Sequence, residues 1–144
     1  MSVPSNYNQT VIETFRKNGG HIPVGPYAES DPSVNGLLLL TTTGARSGQP
    51  RTMPLAYSKN GDRYVVAASK GGAPTNPDWF HNLVANPIVT VEVGGETFKA
   101  RATVTSEPER ERLYARHAGL MPGFAEYLTK TDRKIPIVLL ERID

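Results

Sequence analysis

LLLLTTTGARSGQPRTMPLAYSKNGDRYVVAASKGG, residues Leu37–Gly72, is the stretch that decides the fold. Leu37–Thr43 opens as an unbroken apolar run, which predicts a strand covered on both faces. Gly44–Pro50 reads as a loop, and Arg51–Ser58 as a second strand. Asn60-Gly61 follows, a favoured type I′ hairpin pair because both residues tolerate positive φ. Arg51–Lys59 and Arg63–Ser69 are therefore expected to pair as an antiparallel hairpin, with Tyr64, Val65 and Val66 supplying β-formers to the returning strand.

Upstream, Tyr7–Asn18 predicts a short helix with Val11, Ile12 and Phe15 on one face, ended by Gly19-Gly20. That face could dock on the core or touch a membrane surface. His21–Asn35 holds three prolines and reads as an ordered loop or lid. Downstream, Asn76-Pro77-Asp78 marks a helix start, with Pro77 in the first helical position and Asn76 as its cap. Trp79, Phe80, Leu83 and Val84 keep helical spacing until Asn86-Pro87 stops it. Ile88–Val93 and Glu96–Thr105 alternate around Gly94-Gly95 as a second hairpin. Glu107–Ala118 predicts a charged amphipathic helix capped by Thr105 or Ser106. Gly119–Gly123 breaks it, Phe124–Lys130 forms a further helical turn, and Ile135–Arg142 is a last strand with Pro136 near its start. Roughly six strands and three or four short helices predict one domain, residues 1–144, of the mainly β (α+β) class: an antiparallel sheet closing into a small barrel, helices outside.

Composition narrows the function. The chain has 144 residues and a net charge of +2, too small an excess for a nucleic-acid partner, since the charges are spread along the chain. The absence of cysteine removes disulfides, thiolate metal sites and thiol nucleophiles, and fits a reducing compartment. The longest apolar run, Leu37–Leu40, cannot span a bilayer, and Met1–Phe15 lacks the order of a signal peptide. A cytoplasmic protein is expected, with peripheral membrane contact through the first helix as the variant to test. His21, His81 and His117 form no HxH or HxxxH pair, so no metal site is expected.

The chemistry concentrates in two loops. TTTGARSGQPR (Thr41–Arg51) sets two guanidinium groups, Arg46 and Arg51, beside Gly44 and Gly48. It has neither the GxxxxGK[ST] nor the GxGxxG spacing. Arginine grips a phosphate or carboxylate through two parallel bonds. The second loop, ASKGGAPTNPDW (Ala68–Trp79), puts Lys70 beside two glycines and ahead of a helix N-terminus. Each loop reads equally as an anion site or as a solvated turn carrying incidental cations. His81 reads as structural or as a hydrogen-bond partner beside a cofactor.

On these residues, with NGDRYVVAASKGGAPTNPDWFHNLVANPIVTVEVG and the tail KTDRKIPIVLLE, the chain closely resembles the deazaflavin-dependent nitroreductase family over about Gly36–Asp144. The resemblance implies a split β-barrel like that of the flavin-binding pyridoxamine-phosphate oxidases. It implies coenzyme F-420, an 8-hydroxy-5-deazaflavin with an anionic phosphate and oligoglutamate tail, as the cofactor. It places Arg46 and Arg51 at tail or phosphate ligands, with Arg46 where a lysine is common, and Ser69 and Lys70 at the family's SK pair. Trp79 and Asn82 match the helix lining the cofactor groove. Ser47, Gly48, Met53, Pro54, Ala67, Ala68 and Gly71 complete the implied cofactor contacts. The implied reaction is hydride transfer to a small-molecule acceptor: a quinone, a nitroaromatic or an activated enone. On the acceptor side, Met121 and Phe124 stand where well-known members carry tyrosines, and Tyr127 keeps its hydroxyl. Tyr127 and Ser69 are thus the implied catalytic hydroxyls, with core packing as the competing role for Phe124 and Tyr127. An FMN enzyme of the same fold and a non-catalytic F-420 carrier are the alternatives. Monomer and homodimer both remain open.

Overall fold

The computed structural model describes residues 7–17, 37–120, 123–131 and 133–143. The expected loop His21–Asn35 lies outside the described residues. The elements in chain order are α1 (Tyr7–Lys17), β1 (Leu37–Thr43), β2 (Pro50–Ala56), β3 (Ser58–Asn60), β4 (Arg63–Ala67), a 3₁₀ turn (Lys70–Gly72), α2 (Asp78–Ala85), β5 (Ile88–Val93), β6 (Glu96–Val104), α3 (Glu109–Leu120), α4 (Gly123–Tyr127) and β7 (Ile137–Arg142).

All seven strands belong to one antiparallel sheet in the order β2-β1-β5-β6-β7-β4-β3. Laid flat, the six gaps in that order would separate β2 from β3 by roughly 29 Å. Tyr57 alone joins the two strands, so the sheet must curl until its edges meet. This corrects the long second strand expected over Arg51–Ser58. The chain changes neighbours at Tyr57: β2 pairs along its whole length with β1, Leu37 facing Ala56 and Thr43 facing Pro50, while only Ser58–Asn60 pairs with Arg63–Val65 across Asn60-Gly61. Gly61 adopts φ 65°, as a type I′ turn requires. On its other edge β4 pairs with β7, Tyr64 facing Leu140 and Ala67 facing Ile137.

Strand periodicity then sorts the core. Leu38 and Leu40 of β1, Val66 of β4, Val89, Val91 and Val93 of β5, Phe98, Ala100 and Ala102 of β6, and Val138 and Leu140 of β7 share the interior with Trp79 and Leu83 of α2. The alternate residues Val65, Ala67, Ile137 and Leu139 face outward and pack with Leu113 and Tyr114 of α3. Leu39 faces outward beneath Ile12 and Phe15 of α1. Buried on both faces, β1 behaves as its sequence predicts.

The stripe on α1 is used internally. Phe15 is 1% exposed, and Arg16 clamps the helix to β5 through paired bonds to Glu92, Nε to Oε1 at 3.0 Å and Nη2 to Oε2 at 2.9 Å. Ile12 and Phe15 are thus covered by the sheet and are not presented to a lipid surface. No described helix is long and apolar enough to cross a membrane.

Two helix boundaries differ from expectation. Pro77, not Asn76, occupies the cap position of α2 and makes no side-chain cap bond; the Asn76 amide oxygen instead accepts from Arg133. α3 runs through Gly119 to Leu120 and begins at Glu109 rather than Glu107. Thr105 is not its cap, because its hydroxyl donates to the Ile137 carbonyl at 2.9 Å.

Candidate active site

The two cationic loops meet on one cleft of about 830 Å³, lined by Gly44–Ser47, Arg51–Met53, Lys70 and residues 77–79, 81 and 82. Its volume lies within the range of small-molecule sites. Met53 and Trp79 give it apolar surface, and Trp79 is buried against the interior core. Arg46, Arg51 and Lys70 are exposed on the wall. Among the described residues no carboxylate pairs with any of these three cations. Asp78 is the single acid on the wall. Unpaired cations around an apolar floor suit a flat aromatic ligand with an anionic tail.

The first loop is shaped from within and then pinned from outside. Gly44 N–H donates to the Gln49 carbonyl at 2.8 Å, Gly48 N–H to the Gly44 carbonyl at 3.0 Å, and Gln49 N–H to Ser47 Oγ at 3.1 Å. A side chain on Gly44 would sit 2.5 Å from Ser47 Oγ. The pin is Asn82. Its Oδ1 accepts from Ala45 N–H at 3.0 Å, and its Nδ2 donates to Thr42 Oγ1 at 3.2 Å. One helical turn on, Asn86 Nδ2 donates to the Thr43 carbonyl at 3.4 Å. Residues four apart share a helix face, so α2 lays two amides along the end of β1. Asn82 lines the cleft, and it also holds the loop that carries Arg46.

The second loop is held by a residue for which the sequence analysis assigned no role. Arg133, between α4 and β7, donates to the carbonyls of Ala68, Ser69 and Ala73 and to the Asn76 amide oxygen. Lys70 has φ 48°, a left-handed conformation that is costly for a residue with a Cβ. Its ammonium lies 3.4 Å from Thr75 Oγ1.

Of the residues singled out from sequence, Arg46, Ser47, Arg51, Met53, Lys70, Trp79 and Asn82 line this cleft. Gly48, Pro54 and Ser69 adjoin those residues in the chain but are not on its wall, and Ala68 is buried in the interior core; Gly71 lies outside the residues whose surroundings are described. Ala67 faces the other way, into the core beneath α3, because it alternates with Val66. Phe124 and Tyr127 also lie in that outer cluster, not in the cleft. The Phe124 ring stands edge-on to His117 at 4.5 Å and to Tyr127 at 5.4 Å, and both aromatics are half-buried there. Met121 lies outside the described residues. His81 is on the cleft wall and exposed.

Two polar groups near those aromatics have shifted titration. Burial pushes the Tyr114 phenol up to about 12, and its hydroxyl donates to the Phe124 carbonyl at 2.5 Å. His117 is wholly buried. Burial, aided by the neighbouring Arg116 charge, lowers it to about 4. Its Nδ1 is 2.7 Å from Ser58 Oγ, while Nε2 has no partner among the described residues.

Known proteins resemble this chain in sequence and in fold. The family described as F420H(2)-dependent quinone reductase matches residues 8–142. An F420H(2)-dependent quinone reductase of Mycobacterium tuberculosis is 41% identical over 114 residues, 77% of this chain and 76% of the relative. A solved F420-H2 dependent reductase, FDR-A, is 40% identical with a TM-score of 0.67, covering 73% of this chain and 93% of its own. A second solved relative, described as a domain-swapped dimer, is 33% identical with a TM-score of 0.70, covering 96% and 100%. More distantly, an FAD-binding protein of Mesorhizobium loti is 16% identical with a TM-score of 0.54 over 78% of this chain and 82% of its own. That likeness supports the fold alone, the split barrel. With a family match over nearly its whole length, the chain belongs to the F420H(2)-dependent quinone reductase family.

Proposed function

We propose that this chain is an F420-dependent reductase whose acceptor is a quinone. The observation that carries the reading is the convergence of Arg46, Arg51 and Lys70, all without carboxylate partners among the described residues, on one cleft with Trp79 and Met53. A coenzyme with a phosphate and an oligoglutamate tail needs several fixed cations, whereas FMN has a single phosphate. The reduced deazaflavin, when bound, supplies a hydride from C5. Arg46 and Arg51 would hold the anionic tail, and Lys70 the phosphate. Trp79 and Met53 would offer the tricyclic ring an apolar surface, and Asn82 keeps the first loop in place. Positioning of this kind is the main contribution a protein makes to transfer between two bound molecules. Reduction of a quinone to a hydroquinone takes the hydride and one further proton. The exposed His81 beside the open mouth, or water, would supply that proton, and no buried nucleophile is required. Nitroaromatics and activated enones can take the same hydride and belong on the acceptor panel.

The test is a titration with F420 and FMN side by side, followed by stopped-flow mixing of the F420H(2)-loaded protein with menadione and with a nitroaromatic. Tight binding of F420 alone, weakened by salt, and rapid oxidation by menadione are expected. Equal or tighter FMN binding would overturn the cofactor assignment. F420 binding without turnover of any acceptor would make the protein a carrier. The relative solved as a domain-swapped dimer supports a homodimer for this chain; sedimentation of a monomer at micromolar concentration would remove that part of the reading.

A further inference from the structure

Arg133 does not line the cleft, yet its guanidinium is committed to the segment that presents Lys70. Nε donates to the Ala73 carbonyl at 3.1 Å, Nη1 to the Ala68 carbonyl at 3.1 Å and to Asn76 Oδ1, and Nη2 to the Ser69 and Ala73 carbonyls at 2.8 Å and 2.9 Å. A planar trans peptide sets its N–H opposite its C=O, and both peptides concerned are trans. With the Ala68 and Ser69 carbonyls turned toward Arg133, the N–H groups of Ser69 and Lys70 point away from it. Within the turn, Gly72 N–H bonds the Ser69 carbonyl and Ala73 N–H the Lys70 carbonyl. None of the described turn and loop backbone bonds uses the N–H of Ser69 or Lys70.

The turn is also strained in a way that needs support. Lys70 sits at φ 48° and Gly72 at φ 84°. A side chain on Gly72 would lie 2.9 Å from Lys130 Cβ, so the segment leading to Arg133 packs directly on the turn. A left-handed non-glycine residue persists only where its surroundings over-determine it.

We infer that Arg133 is a positioning residue for anion binding: by gathering the Ala68, Ser69 and Ala73 carbonyls it turns the N–H groups of Ser69 and Lys70, which no described turn or loop backbone bond uses, and the Lys70 ammonium to the opposite side, as a site for the phosphate of the cofactor. The inference rests on the F420 reading. Its discriminating consequence is selectivity for the phosphate, because the groups that Arg133 holds, on Ala68, Ser69, Ala73 and Asn76, do not include Trp79 or Met53, which would offer the ring its surface.

The experiment titrates oxidised F420 against wild type, Arg133→Met and Arg133→Lys by deazaflavin fluorescence. It is repeated with the deazaflavin riboside that carries no phosphate. Arg133→Met should weaken F420 roughly tenfold or more, the order expected for losing hydrogen bonds to a charged group, and leave the riboside unchanged. Arg133→Lys keeps the charge without the planar fork and should fall between. Equal losses for both ligands would mean general damage to the cleft and would overturn the inference, as would undiminished F420 binding. If Arg133→Met does not fold, the F420-to-riboside affinity ratio of Arg133→Lys decides, and an unchanged ratio overturns it. Wild type that binds neither ligand would instead overturn the F420 reading itself.

Discussion

The loop Gly44–Gln49 and the segment Ala68–Asn76 offer the same chemistry, glycines and hydroxyls around cations, but they are held in opposite ways. The first is supported by neutral amides on a helix. Asn82 accepts from a backbone N–H of the loop and donates to Thr42, and Asn86 donates to a β1 carbonyl. The second is supported by a charged guanidinium that collects carbonyl oxygens. One support therefore includes a loop N–H, and the other leaves loop N–H groups facing away. The contrast teaches that a cation beside glycines is only raw material for an anion site. The support behind the loop decides which backbone dipoles reach the ligand.

Removing the first support should produce the largest effect. Asn82→Ala leaves Ala45 N–H and the buried Thr42 hydroxyl without their partner. We expect a loss of about 3 kcal/mol, a fall of about 10 °C in Tm, and weaker F420 binding through the displaced Arg46 loop. Calorimetry that finds wild-type stability would show the pin to be dispensable. Asn82→Asp sharpens the point, since it keeps the acceptor for Ala45 and loses the donor to Thr42.

Acid should act elsewhere, because the amides that hold the first loop do not ionise. His117 is lowered from 6.5 to about 4 in the folded chain, so the unfolded chain binds more protons between those values. Stability from this group is complete above about pH 6.5 and is lost as pH falls through 4. At pH 5 the loss should be about 2 kcal/mol. Urea denaturation at pH 7 and pH 5 measures it, and His117→Gln should flatten the difference. An unflattened profile would assign the acid sensitivity to other groups.

Cofactor affinity comes next. Lys70→Ala and Arg51→Ala should each weaken F420 roughly tenfold at low salt and reduce the salt dependence, with little change in Tm because both side chains are exposed. Equal affinity across the three proteins would detach these cations from the tail. The smallest effect belongs to Asn86→Ala. Its bond of 3.4 Å is long, and a loss below about 1 kcal/mol is expected. A larger loss would make Asn86, not Asn82, the principal pin of the first loop.

Much of the fold was legible because strand and turn signals are local. β1 falls on its expected bounds, Asn60-Gly61 and Gly94-Gly95 turn as hairpins, and Leu38/Leu40 and Leu37/Leu39 divide between two cores as a period of two demands. The misreading came at Tyr57, where an uninterrupted β-favourable run conceals a change of partner strand. In the site, the cations were legible as chemistry beside glycines, and Trp79 through the family resemblance. For Phe124 and Tyr127 the sequence left two roles open, because i, i+3 aromatics look alike on a substrate wall and under a helix. Arg133 was quoted within the family-like tail yet carried no signal of its role, since a lone arginine before a strand reads as a surface charge.

By itself, the sequence determined the elements, the antiparallel class and the two loops able to meet an anion. These follow from side-chain period, turn stereochemistry and charge within a few neighbouring residues. The tertiary structure alone decided that β2 and β3 close the sheet at Tyr57, that Asn82 reaches back 37 residues to Ala45, and that Arg133 reaches back 64 to Ser69. Hydrogen-bond partners at such separations are chosen by how the sheet curls, and curvature is a property of all seven strands together rather than of any one stretch of chain.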